Sequence, residues 1–312
     1  MRTIPFQRRP RRKLKVVVKG LLQSPIQYEV RSTTGDWTSF LPTFQPQKWG
    51  NYDSDSCWCL STITSLEIQL DWLWTNNMFS PEAKTFLAQY LDVNGKFSIS
   101  ERYLEVLGGN YENGGTAEEA IQLMQSYGAV PRALLTYSEA QANACATEEA
   151  FTADYFNVNI ATPALRAMGH KFLTYVNIAY QRIGYMYQTP NQTIFQAALK
   201  QSPLSLGIPA DLPQWNNSYV QWDGVKAMTH EVCCFGGQYN IFDQYHPNPK
   251  TLSPDFYIGG CIQLIASAIA PASVNPIPQP PIQTITFWSW IMRWFNGIFG
   301  SPIPIGSSSI SP

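Results

Sequence analysis

The sequence predicts an α+β protein of two lobes, helical in its N-terminal half and built on an antiparallel β-sheet or barrel in its C-terminal half. Three observations carry this. Apolar residues from Cys57 to Leu73 recur at 57, 60, 63, 66, 70 and 73, close to the spacing of one helix face. Beyond residue 200 the pattern changes to short apolar runs bounded by Gly, Pro, Asn and Asp, which read as strands. Finally, 312 residues with 45% hydrophobic and 14% charged side chains provide a sizeable core and rule out a disordered chain.

Taken in order, residues 1–35 are basic and weakly periodic, an arm ahead of the folded body. The segment 36–50 is too Pro-rich for a helix. Polar residues 51–56 form a turn, and Asp55 or Ser56 is placed to cap the helix that starts at Cys57. A second helix is expected over 81–91, with Pro81 at its first turn. A Gly/Asn loop at 108–115 leads into a third helix over 116–127, stopped by Gly128. A further helix is expected around 163–180. The strand candidates are 203–209, 219–222, 230–235, 240–242 and 256–264. After residue 270 a Pro-rich linker, 271–286, precedes an aromatic segment, 287–299, and a tail, 300–312.

Charge is uneven. Residues 1–19 hold eight of the 21 Lys/Arg and no acid, leaving 13 basic against 22 acidic residues in the remainder. An acidic body is a poor match for nucleic acid, and no nucleic-acid partner is expected. Six cysteines are too few for a disulfide scaffold. No secretory signal is visible in the arm, so a cytoplasmic or virion-associated protein is expected. As a helix, Phe287–Phe299 would be apolar around most of its circumference, with Ser289, Arg293 and Asn296 as a polar stripe. It is a candidate for a membrane interface, a partner protein or the body itself.

The residue with the sharpest chemical position is Cys57, at the start of a helix, where unpaired N–H groups and the helix dipole favour a thiolate. Of the three histidines, His170, His230 and His246, His230 opens an apolar strand. Asp243 ends the expected hairpin partner of that strand, 13 residues on. A nucleophile on a helix, with a base and its orienter on a sheet, is the arrangement a cleft enzyme needs. Zinc is not expected, because Cys57/Cys59 and Cys233/Cys234 lack the spacing of metal-binding pairs. Cys233, Cys234 and Cys261 read as buried strand residues, and no cofactor is implied.

Several segments in collinear order resemble the papain-like cysteine peptidases. Ser56-Cys57-Trp58-Cys59-Leu60-Ser61 resembles the family's S-C-W-[AS]-F-S, and Glu67 falls where the family keeps a buried helix glutamate. Ser80-Pro81-Glu82 resembles its L-S-E helix start, and Asn113-Gly114-Gly115 resembles its N-G-G loop. Ser202–Leu206 resembles G-P-V-S-V, Thr229–Val232 resembles D-H-A-V, and Asp243-Gln244-Tyr245 resembles N-S-W. The resemblance runs through 36–264, within a peptidase domain expected over 36–270. It implies a papain-like two-lobe fold with a cleft, and a monomeric thiol peptidase acting on protein or peptide substrates.

The resemblance assigns Cys57 as nucleophile, His230 as general base and later acid, and Asp243 as orienter of the imidazole where the family usually has Asn. Pro42–Gln47 resembles T-P-V-x-N-Q, which makes Gln47 the oxyanion donor with a four-residue insertion before Cys57. Asn51 sits at the uninserted spacing as the alternative. Gly114 and Gly115 would admit an extended substrate backbone, beside Trp58, and Tyr245 would shield the His–Asp pair. The family's helix-loop disulfide positions hold Ser54 and Glu112, so that bridge is lost as a unit, which fits a reducing compartment. From Cys57 to His230 is 173 residues, longer than usual, and an insertion over 151–187 is the expected cause, either a lid or an outer layer.

Overall fold

The computed structural model describes residues 29–109, 114–184, 192–224 and 227–270. All of them belong to the first of two compact units, Met1–Pro271 and Ala272–Pro312. The arm up to residue 28, Glu112, Asn113, the linker, the aromatic segment and the tail lie outside the described residues.

The centre of the described unit is α1 (Cys57–Thr75). Fifteen of its residues are buried, among them Ser61, Thr62, Ser65, Glu67, Gln69 and Asp71. So much buried polarity is tolerable only where each group finds a partner. Gln69 spans to the sheet, donating to Leu264 O at 3.0 Å and accepting from Ala266 N at 2.9 Å. Ser65 donates to Pro203 O. These bonds pin the helix across the sheet, while Ile63, Leu66, Leu70 and Leu73 enter the helical core. Each such fully buried aliphatic side chain contributes about 1.5–3 kcal/mol.

Around α1 stand α2 (Pro81–Leu87), α3 (Glu101–Gly108) and α4 (Ala117–Tyr127). Ser80 caps α2 and Ser100 caps α3, each accepting from a backbone N–H. Thr116 and Glu119 form a reciprocal capping box on α4. The expected second helix is shorter than its pattern, closing as a 3₁₀ turn at Ala88–Tyr90. The helix α3 has no counterpart in the sequence reading. It is the Ser100-Glu101 start, not Ser80-Pro81-Glu82, that leads directly toward Gly114.

Short helices α5 (Glu139–Ala144), α6 (Glu148–Tyr155) and α7 (Pro163–Phe172) follow, then β3 (Val176–Gly184), α8 (Gln192–Leu199) and β4 (Leu204–Ile208). The helix expected over 163–180 therefore ends at 172, and the chain turns into a strand. Phe172, Val176 and Ile178 are buried in the helical core, so this part of the 151–187 region is a packed layer of the body and not a lid. Gly128 and Gly169 meet so closely that a Cβ on Gly128 would lie 1.7 Å from Gly169 O.

The sheet has seven strands in the order β3-β9-β4-β6-β7-β8-β5. The remaining strands are β5 (Tyr219–Val220), β6 (His230–Gly236), β7 (Asn240–Asp243), β8 (His246–Leu252) and β9 (Gly260–Ala268). All pairings are antiparallel except β5 with β8. The strand expected from Phe256 begins at Gly260. The first two strands, β1 (Lys48–Trp49) and β2 (Tyr52–Asp53), make a small hairpin whose tip is Gly50-Asn51. The hairpin fills the stretch between Gln47 and Ser54. Trp49 and Tyr52 dock it on an aromatic cluster with Tyr137, Phe151 and Tyr155.

Candidate active site

The strand β6 is buried at all seven positions and runs in step with α1. Glu231 stands near the Cys59 thiol, and Glu67 near that of Cys233. Further along, Cys233 and Phe235 share a cluster with Ile68. His230, which opens β6, therefore lies toward the end of α1 that Cys57 opens. Cys57 is half-buried, and none of the six cysteines forms a disulfide. The backbone N–H of a first helical residue has no acceptor within its helix. Ser56 stands at the cap position but makes no capping bond; its hydroxyl bonds to Ser54 Oγ instead.

His230 and Asp243 are brought together. The imidazole Nε2 lies 2.9 Å from Asp243 Oδ1, with both side chains fully buried. Burial alone would raise the Asp243 pKa. The His230 hydrogen bond and charge, together with the Lys250 ammonium, outweigh it and hold the group well below the usual carboxylate range. A carboxylate only accepts, so Nε2 carries the hydrogen and Nδ1 is left as the basic nitrogen in neutral His230. Nδ1 is buried and makes no hydrogen bond.

Two aromatic rings wall the imidazole. Tyr245 lies 5.0 Å from it, centroid to centroid, and Trp215 meets it edge-on at 5.8 Å. Tyr245 sits in the two-residue turn Gln244-Tyr245 between β7 and β8, where its N–H donates to Asp243 Oδ1 at 3.2 Å. Its hydroxyl donates to Asp53 Oδ2 and accepts from Gln47 Nε2 at 2.8 Å. Gln47 Nε2 also donates to Asp53 Oδ1 at 2.9 Å, so both of its amide hydrogens are engaged. Gln47 N–H in turn donates to Gln244 O. Gln47 thus belongs to the same network as the His–Asp pair. Asn51 is exposed at the tip of the hairpin.

Gly114, with φ of +64°, and Gly115 pack on Trp58. A Cβ on Gly115 would stand 2.7 Å from the indole ring. Trp58 is itself 3% exposed and belongs to the helical core beneath this glycine loop. His170 is exposed on α7, and His246 opens β8, accepting from Asn248 N–H. No cluster of three or more His, Cys, Asp or Glu suited to a metal occurs among the described residues. No helix among them is long and apolar enough to cross a membrane.

Sequence reasoning missed three members of the network. Asp53 read as part of a turn, Trp215 lies in a loop between strands, and Lys250 follows Pro247 and Pro249. The one signal in reach was Asp243 itself, a carboxylate where the resembled family has a neutral amide.

Among solved structures, the chain is similar to two crystal structures of the Amb a 11 cysteine protease, a ragweed pollen allergen, in its proform. Identity is 13%, with TM-scores of 0.45 and 0.46. The matches cover 80% and 76% of this chain and 61% and 66% of those, so the chain spans about two thirds of their length or less. It is also similar to the Carica candamarcensis cysteine protease CMS1MS2 in complex with E-64, at 13% identity and a TM-score of 0.45. That match covers 74% of this chain and 96% of the other. No family model and no curated protein matches.

Proposed function

We propose that the chain is a cysteine-type endopeptidase of the papain-like kind, with Cys57 as nucleophile, His230 as general base and acid, and Asp243 as orienter. The observation that carries this is the buried His230, donating Nε2–H to an ionised Asp243 and presenting a bare Nδ1, at the end of a strand that runs in step with the helix opened by Cys57. Nδ1 takes the thiol proton, and the thiolate attacks the peptide carbonyl carbon. The tetrahedral oxyanion is met by the Cys57 backbone N–H and by a donor side chain, for which Gln47 is the candidate. Collapse of the intermediate breaks the C–N bond, with the imidazolium protonating the departing amine. Water, activated by His230, then hydrolyses the thioester. Gly114 and Gly115 offer a backbone edge to an extended peptide.

The test is labelling with an epoxide-class thiol alkylator, followed by mapping of the adduct, alongside turnover of a peptide library. The expected result is an adduct on Cys57 and turnover lost in Cys57→Ser. Activity surviving Cys57→Ala would sink the reading. A second reading, a non-catalytic module used for anchoring or assembly, is favoured by one observation. Both amide hydrogens of Gln47 are held by Asp53 and Tyr245, so the oxyanion donor must be released before it can act. Turnover of any library member rejects that reading.

A further inference from the structure

Lys250 is a buried lysine that the proposed reaction does not use. It lies on β8 opposite Ile241, and its side chain is 2% exposed. Its Nζ lies 2.5 Å from Asp243 Oδ2 and 4.4 Å from the centroid of the Trp215 ring. That ring is the one meeting His230 edge-on. Asp243 therefore has no idle oxygen: Oδ1 takes His230 and the Tyr245 N–H, and Oδ2 takes the ammonium. Burying a lysine so completely is costly unless a carboxylate compensates it, and a neutral amide at 243 could not.

We propose that Lys250 is a positioning residue of this site, acting through Asp243. Its ammonium fixes the carboxylate rotamer and cancels the carboxylate charge, so His230 faces an acceptor that is ionised in form but neutral as a pair. This deepens the peptidase reading and rests on it for its consequence, while its own readout is the titration of His230. The other groups set around the imidazole are the rings of Tyr245 and Trp215, with Asp53 behind Tyr245 and Gln47. Glu231, the next residue of β6, accepts from the Ala117 N–H of α4. Lys250 is the single cation bonded to the His–Asp pair among the described residues.

The sign follows from charge alone. Without the ammonium, Asp243 is an unbalanced anion against the ring, and the imidazolium is favoured. Without the carboxylate, the ammonium is unbalanced and the imidazolium is disfavoured. The experiment is an NMR titration of the full chain, which has three histidines, with the His230 signal identified by its loss in H230Q. Lys250→Met is expected to raise the His230 midpoint by about one pH unit, the scale of a lost neighbouring charge. Asp243→Asn should lower it by a similar amount, and the double variant Asp243→Asn/Lys250→Met should return it toward the parent. Lys250→Arg, which keeps the charge, should leave it in place. A midpoint unchanged in Lys250→Met, or a double variant that stays with Asp243→Asn, overturns the proposal. If Lys250→Met does not fold, Lys250→Gln keeps a donor to Oδ2 while removing the charge and carries the same comparison. Absence of a Cys57 adduct, with the titration shifts present, would sink the peptidase reading and leave the Lys250 assignment standing.

Discussion

Asp243 on the sheet side and the carboxylates around α1 and α3 on the helical side are all buried, yet their surroundings differ in kind. Asp243 is bonded by His230, the Tyr245 N–H and the Lys250 ammonium, and its pKa falls. Glu67 accepts from Gln45 and from Ile99 N–H, both neutral donors, and burial pushes its pKa well up. Burial also pushes Asp71 up to about 7 and Glu105 up to about 8. The nearest cation to Asp71 is the partly exposed Lys96, at 3.7 Å. Burial raises the pKa of every one of these carboxyls, and at Asp243 the buried His230 and Lys250 partners outweigh it. One side of the chain holds a carboxylate as an ion. The other holds Glu67, Asp71 and Glu105, whose protonated form burial favours.

That contrast can be broken first where it is strongest. Asp243→Ala would strand the Lys250 ammonium in a buried site, and a loss of about 3–5 kcal/mol is expected in chemical denaturation. A loss of 1 kcal/mol or less would mean that the lysine escapes to solvent and that the sheet side is not the tightly paired region described.

The next effect is in pH dependence. Glu105 and Glu231, each pushed up to about 8, and Asp71, up to about 7, bind protons in the folded chain that the unfolded chain releases. Their contribution is fully present below the ordinary carboxylate range, near pH 4, and is lost as pH rises toward 7–8. Asp243 acts oppositely: its contribution is present above pH 4 and is lost as pH falls below that. The melting temperature should therefore fall between pH 6 and pH 9. Glu105→Gln should flatten that fall by about 1 kcal/mol or more at the alkaline end. An unchanged slope in Glu105→Gln would show that this carboxyl is ionised and hydrated after all.

The smallest effect is the benchmark. Arg182 and Glu118 form a bidentate pair at the surface, with the Arg182 side chain 45% exposed. Arg182→Ala should cost less than about 1 kcal/mol, vanishing at high salt. A larger loss would blur the distinction between buried and exposed pairing on which the comparison rests.

The helix α1 was legible because its apolar residues keep helical spacing, although nearly every other residue is buried too. The helix α3 was not, because it is only eight residues long and its buried positions include Glu101, Arg102 and Glu105, which read as solvated. The strand β8 reads His-Pro-Asn-Pro-Lys-Thr-Leu, with two prolines that argue against a strand, and only pairing with β7 reveals it. Cys57, His230 and Asp243 were legible because each begins or ends a patterned element. Lys250 was not, since nothing local distinguishes an inward lysine from a solvated one until strand register places it opposite Ile241.

The turn Gln244-Tyr245 has a further consequence. Within two residues it closes a hairpin, offers a carbonyl to Gln47, an N–H to Asp243 and a hydroxyl to Asp53. The distance between the oxyanion candidate and the base is thereby fixed by the length of one turn. Loop-length variation, the usual raw material of specificity change, is closed off at this point.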